Sequence, residues 1–281
     1  MKTKAMIAVF AICAAVAAAD AASFSGATQT GFGAGSGRVH VAAAFGVFAP
    51  MTVNTDLTAE GFINTDTGDP IDIEKGLGAD PNDIILSPEV VVSVLNIGLR
   101  VKYDFTLLEA STVLKENITF DGETFGVSDE IDYEIQETQL KIFAEYTFLD
   151  IDLVFAKLSV TLGAGGNMPY ARQTMIDASD PTKRGEIAET DTIPVIAAEA
   201  ALNFLFLEAS VRVEGMQTGD ERTWDALGGV TLLFPPTQFW VRGGAFLGIR
   251  YSVVNFNKED FKDFTSEKTG IVARVHAEFN I

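Results

Sequence analysis

The feature that most constrains this chain is the alternation between Ile97 and Leu107. Ile97, Leu99, Val101, Tyr103, Phe105 and Leu107 are apolar, and the positions between them are Gly98, Arg100, Lys102, Asp104 and Thr106. A period of two puts these sets on opposite faces of a strand and excludes a helix. Further on, Asp121-Gly122 stands between alternating runs and marks a hairpin tip, because both central residues of a type I′ turn take positive φ. The returning arm, Tyr133 to Phe148, sets Leu140, Ile142, Ala144, Tyr146 and Phe148 against Gln139, Lys141, Glu145 and Thr147. One long antiparallel hairpin over 97–148 is therefore expected.

In a soluble sheet the apolar face of such a hairpin covers a core. In a membrane barrel it faces lipid, and the charged face lines the lumen. The N-terminal residues favour the second solvent. Met1-Lys2-Thr3-Lys4 is a basic start, Ala5 to Val16 is apolar, and the alanines at 17–19 offer a cleavage site before Asp20, with a second after Ala21. This pattern predicts a secretory signal peptide over residues 1–19 rather than an anchor, because the apolar run is short of the ~20 residues a spanning helix needs. Cys13 lies within it, so the exported chain has no disulfide. A sheet closed in a membrane is an alternative source of stability.

Composition narrows the class. The chain carries 20 Lys plus Arg against 39 Asp plus Glu, and loss of Lys2 and Lys4 leaves 18 cations. Such a surplus of carboxylates disfavours nucleic acid as a partner. The hydrophobic residues are spread through short segments, as in barrel strands. With 21 Phe and 2 Trp, an aromatic girdle would be built mostly from Phe and Tyr.

Taken in order, a Gly-rich lead-in over 20–37 is followed by a barrel domain over 38–281. Ten strands are predicted. The first is Arg38 to Phe48, the second Ile84 to Val94, and the hairpin supplies two more. The fifth carries Val154, Ala156, Leu158, Val160 and Leu162 on one face. The rest are Thr192 to Phe204, Glu208 to Gly215, Arg222 to Phe234, Gln238 to Val254, with Val253 facing outward, and a last strand from Ile271 to Ile281. Pro50 to Asp83 is expected to be a long acidic loop and Asn167 to Asp191 a long polar one, with Gly163-Ala164-Gly165-Gly166 a strand end rather than a phosphate loop. Tight turns at Leu95-Asn96 and Leu149-Asp150 alternate with these longer connections, as in an antiparallel up-and-down outer-membrane barrel with short periplasmic turns. The last strand also looks like the signal read by the outer-membrane assembly machinery.

Four stretches carry a family resemblance: Ile71-Asp72-Ile73-Glu74-Lys75-Gly76-Leu77-Gly78, Leu95 to Arg100, Ile118 to Phe125, and Gln139 to Tyr146 with Leu149-Asp150. Over roughly Ile71 to Gly166 the chain resembles a family of uncharacterised Gram-negative outer-membrane β-barrel proteins. The resemblance implies a barrel in the outer membrane, against lipid and lipopolysaccharide, and brings no catalytic residue.

The inward charges form the candidate site. The basic set is Arg38, Arg100, Lys102, Lys141, Lys157, Arg212, Arg242, Arg250 and Arg274, and the acidic set is Asp104, Glu145, Glu199, Glu208, Glu214 and Glu278. A lumen of about ten strands is largely filled by side chains, so these charges should pair across it. The alternative is a narrow passage with slight anion preference from the basic excess. The enzyme alternative is a surface hydrolase, an omptin-like protease or a lipid-modifying barrel, working with outer-loop carboxylates. His40 and His276 both fall at the periplasmic end in this topology, away from such a site. No metal or cofactor is expected in the barrel, and clustered carboxylates in 50–83 would suit a divalent cation bridging to lipopolysaccharide phosphates. The function expected is non-enzymatic: structural, surface-interaction or narrow small-solute passage.

Overall fold

The computed structural model describes residues 39–56, 63–64, 84–115, 117–219, 221–234, 241–256 and 264–280. The expected signal, lead-in and Arg38, most of the acidic loop, and the reversal at Pro235-Pro236-Thr237 lie outside the described residues. The elements are β1 (Val39–Asp56), β2 (Ile63–Asn64), β3 (Ile85–Val94), β4 (Ile97–Val113), β5 (Ile118–Phe120), β6 (Glu123–Phe125) and β7 (Glu130–Asp152). They continue with β8 (Lys157–Asp177), β9 (Arg184–Thr190), β10 (Ile193–Phe204), β11 (Leu207–Thr218), β12 (Glu221–Leu233), β13 (Val241–Phe256) and β14 (Phe264–Asn280).

The sheet is antiparallel and closed. β1 pairs with both β14 and β3, so that Val41 stands between Phe279 and Val92. At the other seam β8 pairs with β10 from Asn203↔Lys157 to Ile193↔Asn167, and with β9 from Thr190↔Tyr170 upward. β9 and β10 are thus one strand interrupted at Asp191-Thr192, and the wall has ten strands. The barrel that the family resemblance implied is the fold found.

Strand parity sorts the side chains as the alternation predicts. Arg100, Lys102 and Asp104 are buried, while Ile97, Leu99 and Tyr103 are exposed. On the far side of the barrel, Leu247 and Ile249 are exposed and Arg250 is buried. Along the outward positions between the two rims, no described residue of any wall strand is charged. An apolar belt of this kind around a closed sheet needs lipid, because water would expose a continuous hydrophobic surface far above that of a soluble monomer. At the end where β3 meets β4, β7 meets β8 and β10 meets β11, the belt is edged by Phe148, Phe155, Phe204, Phe206 and Phe234, all exposed.

The turns at that end are short. Leu95 (φ 56°) and Leu205 (φ 55°) take left-handed conformations in two of them, and in a third the Leu153 amide donates to the Ala156 carbonyl at 2.7 Å. This corrects the placement of one turn. β7 runs past Leu149-Asp150, absorbing a bulge between Thr147 and Leu149, and ends at Asp152. Val154 is therefore a turn residue, 89% exposed, and not part of the fifth strand.

The larger correction lies at the opposite, outer end. β1 continues through a bulge at Pro50/Thr52 to Asp56, so the acidic loop begins later than expected. The polar loop expected from Asn167 to Asp191 is mostly strand: β8 runs to Asp177 and returns as β9 after a six-residue turn, with Gly163 to Gly166 in mid-strand. β7 has 23 residues, which at about 3.3 Å each is roughly 75 Å of chain, well beyond the about 25 Å apolar band of an outer-membrane barrel. β4, β7, β8 and β9 therefore rise out of the belt as a tongue. Val253, expected outward against lipid, is buried, with Trp224 as its cross-strand neighbour.

The long hairpin also ends earlier than its tip. Its ladder stops at Val113↔Glu130, where Leu114 exchanges backbone hydrogen bonds with Ser128 and Asp129. The residues beyond fold aside as β5 and β6, in a separate small sheet with β2. Asp121 (φ 51°) and Gly122 (φ 76°) form the type I′ turn as predicted, because only glycine and short polar residues accept that conformation cheaply.

If lipid surrounds the belt, Ile249→Arg should lower stability by about 2–4 kcal/mol, the depth-dependent cost of a cation on a barrel's lipid face. The check is the urea midpoint for refolding into phospholipid vesicles, and an unchanged midpoint would contradict the assignment.

Candidate functional site: the lumen plug and the outer lobe

Alternate residues of a strand face one side, so Arg100, Lys102 and Asp104 on β4 enter the lumen one above another. Opposing strands deliver their counterparts. The resulting network has two tiers, one nearer the short turns and one nearer the tongue.

In the inner tier the Arg100 guanidinium donates to Glu145 and Glu199 at 2.8 Å each and to Glu89. Arg212 donates to the same two carboxylates, at 2.8 Å to Glu145 and 2.9 Å to Glu199. Arg274 reaches Glu89 at 3.2 Å. In the outer tier Asp225 is the common acceptor, taking Arg250 at 2.5 Å, Lys141 at 2.7 Å and Lys102 at 3.0 Å. Arg250 also grips Asp104 at 2.6 Å, and Ser87 donates to Asp104 from the side at 2.5 Å. Glu214 links the tiers through Arg212, Lys141 and Lys102.

Three of the arginines rest on phenylalanine rings that also point inward: Arg212 on Phe143 at 5.0 Å, Arg250 on Phe48 at 5.2 Å and Arg274 on Phe246 at 5.8 Å. A guanidinium over an aromatic face gains electrostatic attraction and excludes water from its carboxylate partners. Close fitting extends to the wall, where a Cβ on Gly46 would lie 2.7 Å from Arg274 Cγ. The plug is packed like a core, although its functional groups are ions.

Of the residues expected in the network, Arg100, Lys102, Asp104, Lys141, Glu145, Glu199, Arg212, Glu214, Arg250 and Arg274 come together as described. Four do not. Lys157 pairs with Asp150 at 3.0 Å on the rim. Glu208 faces Asn203 across the ladder beside the last turn of that hairpin. Arg242 stands opposite Glu278, and Glu278 lies between His40 at 3.9 Å and His276 at 3.5 Å. These residues line the short-turn mouth, where both histidines were expected.

Two acids were missed, and they matter most. Glu89 follows Pro88 and Asp225 follows Trp224, so neither stands in a clean alternating run. With them, Arg100, Lys102, Lys141, Arg212, Arg250 and Arg274 are matched one for one by Glu89, Asp104, Glu145, Glu199, Glu214 and Asp225. The basic excess that would have given a passage its anion preference is cancelled.

Above the outer tier the lumen turns neutral. Asn167 donates to Thr223 at 3.1 Å and to Gln139 at 3.4 Å, and Lys268 pairs with Glu137. A small cavity among Phe48, Thr106, Gln139, Ser252 and Lys268 opens on this roof.

The second candidate surface is the lobe on the tongue. Leu114, Ile118, Phe120, Phe125, Ile131 and Met175 are fully buried there, outside the apolar belt, as the core of a water-facing structure. Phe120 packs against Gly185 of β9, and the Glu186 amide donates to Asp121 at 3.1 Å. Lys183 clasps the arm: it lies 5.0 Å above the Phe125 ring, 3.0 Å from Asp129 and 3.8 Å from Asp177.

No family model matches the chain, and no curated protein matches it. Among solved structures it is similar to the outer membrane protease OmpT from Escherichia coli, 9% identical with a TM-score of 0.40, over 87% of this chain and 97% of that one. It is also similar to the deltaS2S3 mutant of the monoaromatic hydrocarbon channel TodX, 7% identical with a TM-score of 0.27, over 88% of this chain and 91% of that one. The P. putida toluene transporter TodX is 8% identical with a TM-score of 0.18, over the same shares. At these values neither activity nor site residues are carried across.

Two outcomes follow from the geometry. Asp225→Asn leaves three buried cations short of their shared acceptor and should cost about 3–5 kcal/mol, whereas Lys157→Ala on the rim should cost about 1 kcal/mol or less. Equal urea midpoints for the two variants would contradict the network. In the lobe, the Gly126 amide, and then Lys183, hold the Asp129 carboxyl below its ordinary value of 3.8. A depressed carboxylate stabilises above its unfolded value and ceases to do so as pH falls through the folded one. Protease cleavage within 114–129 should therefore rise as pH falls below 3.8, and a rate independent of pH there would contradict the clasp.

Proposed function

We propose that this protein is a non-enzymatic integral outer-membrane barrel, closed to solutes by its ion-paired plug, whose task is to hold the lobe at the cell surface for contact with partners. The observation that carries this reading is the reach of the ion pairs across the lumen. Arg250 on β13 holds Asp104 on β4 at 2.6 Å, and Arg100 on β4 holds Glu199 on β10 at 2.8 Å. These strands are not neighbours in the wall. A passage would leave such charges to water, whereas here the carboxylates are satisfied by cations from the opposite side.

On this reading the plug carboxylates serve the closure of the lumen, since each is engaged with cations and none is placed as a free general base. Both histidines lie at the mouth opposite the lobe. Outer-membrane lipid and lipopolysaccharide then surround the belt, and the outer-membrane assembly machinery inserts the barrel.

The test is planar-bilayer recording of the refolded chain. The closed plug should give no unitary steps at ordinary voltages. Reproducible ion conductance by protein that shows heat-modifiable gel mobility would overturn the reading.

A further inference from the structure

The outward side of the tongue changes character where the apolar belt ends. On β4 the outward positions from Ile97 to Leu107 are apolar, and the next one is Glu109. From there the ladder aligns outward residues of β4, β7, β8 and β9 in rows. One row is Glu109, Glu134, Thr174 and Glu186, and the row above it is Ser111, Asp132, Ile176 and Arg184. Val113 and Glu130 close the face at the top of the ladder.

The acids on this face outnumber its cations. Arg172 lies 3.3 Å from Glu134 and 3.9 Å from Glu186, and Arg184 pairs with Glu186. Asp132 takes a hydrogen bond from Ser111. Among the described residues, no cation pairs with Glu109, Glu130 or Asp132, all three exposed. Glu109 stands directly opposite Glu134, and like charges so placed across a ladder are destabilising unless a cation joins them.

A second observation falls in the same row. Thr174 is 4% exposed, and its Oγ1 has no hydrogen-bond partner, although a glutamate stands on either side of it in the ladder. Buried polar atoms are nearly always paired. A hydroxyl acceptor left over between carboxylates suits an ammonium or guanidinium group, which brings several N–H donors to one place. Among the described residues no three acids or histidines converge as a metal cage would, which favours an organic cation. Val113, 54% exposed, adds an apolar spot beside Glu130.

We infer that this face is a docking surface for a cationic, amphipathic segment of a partner protein lying along the membrane surface beside the barrel. Its lysine or arginine heads sit among Glu109, Glu130 and Asp132, with one received by Thr174, and its apolar side meets Val113. The inference rests on the reading above, in which the tongue stands at the cell surface, and it names the chemistry of the partner.

The experiment follows, by fluorescence anisotropy, a labelled peptide of alternating lysine and valine added to the full chain refolded in nanodiscs of zwitterionic phospholipid. Wild type should bind it, less tightly as sodium chloride is added, and should not bind the same peptide with glutamate for lysine. E109Q/D132N should bind several-fold more weakly, as expected for the loss of two exposed ion pairs. T174V should also bind several-fold more weakly, although the hydroxyl it removes bonds nothing in the free protein. D150N/D152N, the same loss of charge at the opposite end, should bind like wild type. Equal affinity of E109Q/D132N and D150N/D152N, or a T174V chain as tight as wild type, overturns the surface. Equal binding of the two peptides by wild type does so without any variant having to fold. Displacement by magnesium chloride beyond that of sodium chloride at matched ionic strength gives the face to a metal ion and also overturns the inference. Labelling of Lys115→Cys by a membrane-impermeant maleimide on intact cells separates the two readings. An unlabelled chain overturns surface display, whereas a labelled chain that binds no cationic peptide overturns the docking surface alone.

Discussion

The pairing of Asp225 with Arg250, Lys102 and Lys141 is the contact on which the rest of the structure depends. Within the height of the apolar belt a barrel in lipid has no place for charge but its interior, and desolvating one ion there costs several kcal/mol unless good partners offset it. Asp225 brings together cations from β4, β7 and β13, strands on different sides of the wall. Closure of the sheet satisfies the backbone, and the plug satisfies the side chains that closure traps.

The faces of the strands could be read directly from the chain, because Val211, Arg212, Val213 and Glu214 alternate as the pleat does, and Ile97 to Leu107 likewise. Strand ends could not. Above the belt, β7 and β8 no longer have lipid on one side, and the alternation of oily and wet positions gives way to a mixed run through Gly165, Gly166, Asn167 and Pro169 whose turn-forming residues imitate a loop. Most of the expected loop over 167–191 is therefore strand. The network was legible in outline and wrong in its charge balance. Pro88 hides Glu89, and Trp224 and the small residues after Asp225 hide the acid that matters most. Phe48, Phe143 and Phe246 escaped notice because an apolar residue on an inward position breaks the two-colour rule. In the folded barrel they are floors for arginines.

The lobe illustrates a different division of labour. The turn at Asp121-Gly122 is a local fact, set by two residues and independent of solvent. The docking of its arm on Gly185 and Lys183 is a long-range fact that no spacing in the chain announces. One protein thus carries two cores of opposite kind, ionic where the surroundings are hydrocarbon and apolar where the surroundings are water. Each core is the inverse of what lies outside it.

That inversion is open to a direct measurement. With Cys13 confined to the expected signal segment, single cysteines placed in turn from Ala245 to Ser252 on β13 can each carry a nitroxide. Collision with oxygen, which partitions into lipid, is compared with collision with a water-soluble nickel complex. Oxygen access should oscillate with a period of two, high at Leu247, Ile249 and Tyr251 and low at Gly248 and Arg250, while nickel access stays low at the outward sites. A profile without that oscillation, or outward sites open to nickel, would contradict a barrel that faces lipid with its oil and keeps its ions within.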